Sequence, residues 1–337
     1  MGPLSESLAR SPELFPFALD LRNDTVTLLR FSRAEFENAS FLDGRIVAPG
    51  RPGRTLRFAD LAEAAEAAGL RERCDFIFHL GHVGSTLLSR LLGRHSAIFS
   101  LREPAILRTL AQMSGGPPER YLSVFLKLWS RTFEPNARAL VKPTSFVSEL
   151  AENILSRPCA PRALAMIVAP EAYLATILGG ANAPAEARTL APFRLARLEQ
   201  RLSCRWRLAD MSEGETVALG WACEACALAA ATEKAGERAL IFDFEQFLAD
   251  PEAGLARAFA HFGVAATPAA IAQIVSGPDM RSYSKAPEHA YDAALRRAVL
   301  DEGRREHGDE IRRGLRWLDR AAHEYPQLLQ ALELFVR

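Results

Sequence analysis

The amino-acid sequence predicts an α/β fold of three layers, in which a central, mainly parallel sheet is flanked by helices. From residue 74 onward, short and almost wholly apolar segments alternate with longer amphipathic ones. Apolar runs of this kind are typical of strands that are buried on both faces of a sheet. A β-rich N-terminal preface and a set of C-terminal helices complete the predicted architecture.

The preface covers residues 1–70. Its segments FALDL and TVTLLRF are predicted as short strands, FLDGRIVAPG as a turn with another strand, and FADLAEAAEAAG as a helix that ends at a glycine. The core follows over residues 71–275. A polar lid loop and C-terminal helices then occupy residues 276–337.

Five core strands are predicted in the segments CDFIFHL, SAIFSL, ALVK, RALAMIVA and ALIFDF. Helices are predicted between them, over residues 120–132, 144–156, 191–209 and 215–234. Strands separated by helices of these lengths imply parallel pairing with right-handed crossovers. After Gly277 the chain becomes polar and irregular, and two or three charged amphipathic helices finish it. The sequence has no internal repeat, so we expect one α/β domain with helical additions.

Charge and hydropathy exclude two classes of protein. The 337 residues carry 41 basic and 41 acidic side chains, whereas a protein that neutralises nucleic-acid phosphates normally has a basic excess. No apolar run is long enough to span a bilayer, and the first residues lack the apolar region of a secretory signal. We therefore expect a soluble cytoplasmic protein that binds neither nucleic acid nor membranes.

The cysteines point to a reducing compartment. Five are present, an odd number that favours free thiols over a disulfide framework. Cys223 and Cys226 form a C-x-x-C pair, but the sequence around them predicts one face of a helix. Buried thiols are therefore favoured there over a metal or redox site. Only four of the 41 basic residues are lysines, so each lysine is conspicuous.

The turn after the first core strand has the composition of a phosphate-binding loop. Gly81 and Gly84 allow the backbone to curl so that successive N–H groups face one point, and the following helix adds the positive end of its dipole. Ser85 and Thr86 supply hydroxyl donors. A Walker A loop would have a lysine where Ser85 stands. The alternative is an ordinary strand–turn–helix corner whose glycines serve geometry alone.

This segment, FIFHLGHVGSTLLSRLLG, resembles the 5′-phosphosulfate loop of the P-loop sulfotransferases. The four residues from Val83 match the family's S-G-T-T, and His82 falls at the position of its basic residue. The stretch ALIFDFEQFLADPEAGLARAFAHFGV is similar to one that is common in bacterial members, and SLREP and VKPTSF are further points of likeness. The resemblance spans about residues 74–285. It implies a P-loop fold, 3′-phosphoadenosine 5′-phosphosulfate (PAPS) as the donor and no metal.

The chain departs from the family at the donor's 3′-phosphate. Members bind that group with an arginine after the strand that here is RALAMIVA, and with a serine eight residues later. Thr176 fits the serine position and Pro170 fits the pattern, but Val168 stands where the arginine is expected. Another arginine then supplies the cation, or the donor lacks a 3′-phosphate.

A basic loop late in the chain is the predicted source of that cation. Related enzymes close such a loop over the donor nucleotide. Its candidate residues here are Arg281, Tyr283, Ser284 and Lys285. A solvated surface loop is the alternative interpretation.

Three side chains are candidates for catalysis. His82, when protonated, would donate to the bridging oxygen of the donor, and the alternative is a histidine that is hydrogen-bonded within the turn. Glu103, just past a strand end, is the preferred general base, and the alternative is a structural ion pair with Arg102. Lys142 ends the third core strand, where a phosphate, a sulfuryl group or an acidic acceptor would justify a buried ammonium. A salt bridge to Glu103 or another carboxylate would do so equally.

The resemblance implies in-line transfer of a sulfuryl group from PAPS to a hydroxyl acceptor. A small metabolite, a sugar and a peptide side chain are all open as acceptors, and the oligomeric state is open as well. The missing 3′-phosphate arginine prompts an alternative, an ATP-dependent phosphotransferase or nucleotide-binding protein, which would require Mg²⁺. A binding module with a degenerate loop is a third possibility, because a scaffold does not fix function.

Overall fold

The preface of the computed structural model is a three-stranded antiparallel sheet with helices around it. The structure describes residues 2–48, 50–113, 115–283, 286–290 and 292–336. For residues 283 and 286–290 it describes the backbone. The preface elements are α1 (Pro3–Arg10), β1 (Leu14–Asp20), β2 (Thr25–Arg30), α2 (Arg33–Asn38), β3 (Gly53–Arg57) and α3 (Phe58–Ala67). This sheet confirms the predicted β-rich preface.

One preface strand is misplaced by the sequence analysis. Segment FLDGRIVAPG contains a 3₁₀ turn at Gly44–Ile46, where Asp43 accepts a hydrogen bond from the Arg45 N–H. The third strand lies further on, at β3, and it pairs antiparallel with β2. The prediction also missed α2, although Ser32 and Glu35 form the capping box that such a helix start requires.

The central sheet has five strands in the order β5-β6-β4-β7-β8, and every neighbouring pair is parallel. Its strands are β4 (Asp75–His79), β5 (Ile98–Arg102), β6 (Arg138–Lys142), β7 (Ala163–Ile167) and β8 (Ala239–Asp243). Each of them falls in a segment that the sequence predicts as a strand. Together with the helices that flank the sheet, this arrangement confirms the predicted α/β fold.

The helices after β4 are α4 (Ser85–Gly93), α5 (Ala105–Ala111), α6 (Glu119–Trp129), α7 (Ala151–Leu155), α8 (Pro170–Leu178), α9 (Ala183–Leu202), α10 (Glu213–Ala235), α11 (Phe244–Ala249), α12 (Pro251–His261), α13 (Pro268–Ser276), α14 (Ala293–Glu324) and α15 (Pro326–Phe335). The helix predicted over residues 144–156 is instead a 3₁₀ turn at Ser145–Leu150 followed by the short α7. Helix α9 starts eight residues before the predicted one, with a proline in its first turn, where proline fits well.

Strand order places a crevice next to β4. From β4 the chain crosses to the edge strand β5 and returns to β6 on one side of β4, while β7 lies on its other side. Ligands of open parallel sheets bind at the carboxyl ends of the strands, at such a point of reversal. The turn after β4 therefore lies where this architecture accommodates a ligand.

The late polar segment is more regular than predicted. It forms a 3₁₀ turn at Pro278–Arg281 and a small antiparallel pair, β9 (Ser282–Tyr283) with β10 (Ala286–Ala290). Two helices, α14 and α15, then end the described chain, as the charged amphipathic pattern predicts.

The C-x-x-C pair lies in the core. Cys223 and Cys226 are buried in α10, beside the fully buried Trp221. Burial raises the pKa of Cys226 to about 12 and raises the pKa of Cys223 as well, so both remain thiols near neutral pH. These surroundings are those of inert core thiols, as expected. Within the described ranges no helix is long and apolar enough to cross a bilayer.

Candidate functional site

The turn between β4 and α4 is wound in the left-handed region of the backbone. Gly81 has φ +96°, His82 +55° and Gly84 +64°. Glycine adopts such angles without steric cost, whereas a residue with a Cβ atom does so only under constraint. This winding folds residues 81–86, called the 81–86 loop below, over the carboxyl end of the sheet.

Helix α4 begins with N–H groups that no side chain caps. Its N-cap is Gly84, and the first backbone hydrogen bond of the helix runs from Leu88 N–H to the Gly84 carbonyl. Ser85 and Thr86 are 4% and 2% exposed, so the first turn is buried. The Thr86 Oγ1 hydroxyl is buried there without a hydrogen-bond partner. Orphan amides and an orphan hydroxyl at a helix N-terminus are suited to an anion.

Two neighbouring segments pack tightly against the glycines of the loop. A Cβ atom on Gly84 would lie 2.0 Å from the Phe244 ring, and one on Gly81 would lie 3.2 Å from Ser145 Oγ. Arg296 of α14 lies over the Phe244 ring, with its guanidinium carbon 4.9 Å from the centre of the ring. The Arg296 guanidinium also bonds to Glu245. The segments that follow β6 and β8, which carry Ser145 and Phe244, therefore hold the loop in this conformation.

His79 is a site residue that the sequence analysis missed. Its Nδ1 accepts a hydrogen bond from the Gly81 N–H at 3.0 Å, and its Nε2 lies 2.9 Å from the Pro143 carbonyl oxygen. Since Nδ1 accepts, Nε2 carries the hydrogen and donates it to Pro143. The imidazole therefore joins the start of the loop to the end of β6. The signal in the sequence is a polar residue that directly follows the apolar run FIF of β4.

Glu103 and Lys142 form a salt bridge between the ends of β5 and β6. The Lys142 side chain is 1% exposed and that of Glu103 is 14% exposed. Arg45 of the preface also approaches the carboxylate, at 3.4 Å from Glu103 Oε2. The structure contains the predicted salt bridge to Glu103, and the ligand contact of Lys142 stays a prediction. Glu103 itself has φ +53°, a strained angle for a side chain of its size.

Arg102 turns away from its neighbour Glu103. Its guanidinium donates to the carbonyl oxygens of Phe36, Glu37 and Ala39. The alternative of an Arg102–Glu103 ion pair is therefore wrong. The reason is that α2, which the sequence analysis did not predict, presents its C-terminal carbonyl groups to Arg102.

No cation stands at the position of the expected 3′-phosphate arginine itself. Val168 is 1% exposed, and its carbonyl oxygen accepts the Trp221 indole N–H at 3.1 Å. The Thr176 hydroxyl donates to the Ala172 carbonyl within α8. One turn before it, Glu171 holds Arg304 of α14 through two hydrogen bonds of 2.9 and 3.0 Å. Helix α14 thus brings an arginine to the beginning of α8, which no local pattern in the sequence indicates.

The late basic segment is only partly described. Arg281 is exposed and donates to the Ser276 carbonyl at 2.6 Å. The Tyr283 side chain and the residues Ser284 and Lys285 lie outside the described residues. The structure therefore assigns no ligand contact to this segment.

No group of histidine, cysteine, aspartate and glutamate side chains in the described part of the chain is arranged to hold a metal ion. The 81–86 loop instead offers hydroxyls, backbone amides and the His82 imidazole. These donors suit a phosphate-type anion.

Three solved structures that this chain resembles are sulfotransferases. The sulfotransferase domain of the curacin biosynthetic pathway is 16% identical, with a TM-score of 0.42, and the match covers 68% of this chain and 89% of that one. The sulfotransferase domain of the Synechococcus PCC 7002 olefin synthase is 15% identical, with a TM-score of 0.39 and coverages of 68% and 86%. Mouse sulfotransferase SULT7A1, complexed with PAP, is 14% identical, with a TM-score of 0.35 and coverages of 72% and 80%.

No protein-family model matches the chain, and no curated protein matches its sequence. With identities of 14–16% and TM-scores of 0.42 or less, the case for a function rests on the site residues.

Proposed function

We propose that this protein is a sulfotransferase that moves a sulfuryl group from PAPS to a hydroxyl acceptor by metal-independent, in-line transfer. The observation that carries the proposal is the uncapped, buried N-terminus of α4, where Thr86 Oγ1 has no hydrogen-bond partner. The likeness of this loop to the 5′-phosphosulfate loop gives the anion its identity. The acceptor is a small molecule, a sugar or a peptide side chain.

Each residue of the site has a separate role in binding the donor or in the transfer. The backbone N–H groups of the first turn of α4 and the Thr86 hydroxyl hold the 5′-phosphate of the donor. His82 donates to the oxygen that leaves with that phosphate. Lys142 stabilises negative charge on the transferred group, and Glu103, which is its ion-pair partner, accepts the acceptor's proton. PAPS supplies the activated sulfuryl group.

The alternative is a phosphotransferase or nucleotide-binding protein that uses ATP on the same loop. It is prompted by Val168, which supplies no cation for a 3′-phosphate. Against it, Ser85 occupies the position of the Walker lysine, which ATP-using loops employ on the β- and γ-phosphates.

Calorimetric titration separates the two proposals. Adenosine 3′,5′-bisphosphate and ADP with Mg²⁺ are titrated into the full chain under the same conditions. The sulfotransferase proposal requires tighter binding of the bisphosphate, without any need for Mg²⁺. Tighter binding of Mg·ADP would favour the phosphotransferase, and binding of neither would overturn both.

The Thr86→Val variant should bind adenosine 3′,5′-bisphosphate about tenfold more weakly, since one hydrogen bond to a charged phosphate is worth about 1.5–3 kcal/mol. The unliganded variant should be as stable as the wild type or more stable, because valine removes a buried hydroxyl that has no partner. Calorimetry measures the first effect and denaturant unfolding the second.

Thr189→Val is the matched control, because its hydroxyl donates to the Ala185 carbonyl on an exposed helix face. It should leave bisphosphate binding unchanged. Unchanged binding by the Thr86 variant would contradict the role of this hydroxyl.

We also propose that Arg304 replaces the missing 3′-phosphate arginine. Its guanidinium already lies at the start of α8, where it is bound in a fork by Glu171. The two side chains are 39% and 47% exposed, so an incoming phosphate has access to them. A guanidinium that binds a carboxylate through two parallel hydrogen bonds offers the same fork to a phosphate.

The Arg304→Gln variant should lose about tenfold in affinity for adenosine 3′,5′-bisphosphate but little in affinity for adenosine 5′-monophosphate, which lacks the 3′-phosphate. Glu171→Gln should strengthen bisphosphate binding, because it removes the competing carboxylate. Arg312→Gln, on the exposed face of the same helix, is the control. An equal loss for both nucleotides would show that Arg304 acts elsewhere.

A further inference from the structure

A cavity lies at the far end of α4 from the 81–86 loop. Its volume is about 270 Å³, which is below the roughly 300–1,000 Å³ of sites for drug-sized ligands. Helix α4 has nine residues, so its two ends are roughly 13 Å apart. Its lining has four arginines, two phenylalanines and two carboxylates, which are Arg33, Arg90, Arg94, Arg102, Phe99, Phe133, Glu37 and Glu134.

Arg90 is the central observation. It is 8% exposed, and its Nη2 donates to the Asn38 carbonyl at 3.0 Å and to Ser40 Oγ at 2.8 Å. Its Nε is buried without a hydrogen-bond partner. A buried N–H of a charged group that lacks an acceptor is costly, so its presence beside a cavity indicates an acceptor that the cavity receives.

The other two buried or half-buried guanidinium groups add positive charge. Arg102 is 3% exposed, and its hydrogen bonds within the described ranges go to backbone carbonyl oxygens at the end of α2. Its pKa is lowered to about 9, by burial first and then by the charge of Arg90. Arg94 is paired in a fork with Asp279, at 2.6 and 3.1 Å. Arg90 and Arg102 therefore line the cavity as two buried charges. Their described hydrogen bonds go to backbone carbonyl oxygens and to the Ser40 hydroxyl, not to a carboxylate.

The opposite wall is aromatic. The rings of Phe99 and Phe133 meet edge to face, with 5.3 Å between their centres. Arg33 lies over the Phe133 ring at 4.9 Å and is paired with Glu134, so its charge is already compensated. An anion bound to Arg90 thus has apolar surface next to it for a small organic substituent.

We propose that this cavity binds a tetrahedral oxyanion, the phosphate or sulfate group of a small molecule, with Arg90 Nε as its principal donor. Such a ligand neutralises the mutual repulsion of the guanidinium groups through charge-assisted hydrogen bonds, which arginine forms best with phosphate and sulfate. The site is separate from the 81–86 loop and does not depend on the function proposed for that loop.

The test follows the Nε–H resonance of Arg90 by ¹H–¹⁵N NMR of the full chain, with the signal assigned through bonds in the wild type. Inorganic phosphate and inorganic sulfate are titrated at constant ionic strength, with chloride as the control. The expected result is a saturable shift of this resonance with phosphate and sulfate and none with chloride. Because each resonance is read separately, an anion that binds at the 81–86 loop alone leaves the Arg90 signal in place.

The Arg90→Lys variant keeps the charge but removes Nε. In it, the phosphate-dependent shift of the Arg94 Nε–H, a second probe in the cavity, should need about tenfold more phosphate. Arg316→Gln, at a different and more open arginine cluster, should leave the titration unchanged. Thermal melts of the unliganded variants show whether each is folded. If the Arg90→Lys variant does not fold, the wild-type titration tests the proposal by itself.

Two sources of the oxyanion are distinguished by a third titrant, phenyl phosphate. Tighter binding of phenyl phosphate than of inorganic phosphate supports an organic ester whose ring meets Phe99 and Phe133. Equal binding supports a free inorganic oxyanion. An Arg90 resonance that does not respond to any of these anions, or that responds equally to chloride, overturns the proposal.

Discussion

Replacing Gly84 by alanine should abolish binding of adenosine 3′,5′-bisphosphate and destabilise the fold. The new Cβ atom would lie 2.0 Å from the Phe244 ring, so either the ring or the 81–86 loop must move. Overpacking of this kind costs about 1–3 kcal/mol. The positive φ of +64° adds about 1–2 kcal/mol. Denaturant unfolding measures the stability, and calorimetry measures the binding.

Gly69 provides a matched control for this substitution. It has the same φ of +64°, and a Cβ atom there would meet nothing within 4 Å. Gly69→Ala should therefore lower the free energy of unfolding only by the cost of the left-handed backbone, about 1–2 kcal/mol. It should bind the bisphosphate as the wild type does. If the two variants were equally stable and bound equally well, the contact between Phe244 and the loop would have no part in shaping the site.

The Glu103→Gln variant should lose about 3–5 kcal/mol in the free energy of unfolding, because it leaves the ammonium of Lys142 buried without its carboxylate partner. Most of the lost stability should return in the double variant that also carries Lys142→Met, since a methionine of similar length places no charge there. Urea unfolding of the two single variants and the double variant measures the coupling between the pair. Additive losses would contradict a buried ion pair.

The same variant tests the proposed general base. With an acceptor that supports turnover, Glu103→Gln should lower kcat by about 10²–10⁴-fold at a temperature where it is fully folded. Arg45→Gln is the control, because Arg45 touches the same carboxylate from the more exposed preface. A Glu103 variant that retained near-full kcat while losing stability would make the residue a purely structural partner of Lys142.

The sequence by itself determined the central sheet and the loop. Apolar segments such as ALAMIVA are short and uninterrupted because strands buried on both faces need no polar alternation, so they could be recognised without any tertiary contact. The positions of Gly81 and Gly84 likewise predict a curled loop before a helix, because only glycine adopts the left-handed backbone freely. Both features are local, and local features are encoded within a few residues.

The partners of the polar side chains were decided by the tertiary structure alone. Arg102 bonds to carbonyl groups of α2 more than sixty residues earlier, and Arg304 reaches Glu171 from more than a hundred residues later. Each guanidinium takes whichever acceptor the packed elements bring within its reach, and the chain has many arginines and carboxylates from which to choose. The sequence therefore determined the curled loop after β4, whereas only the packing of α2 and α14 against the core decided which acceptors Arg102 and Arg304 contact.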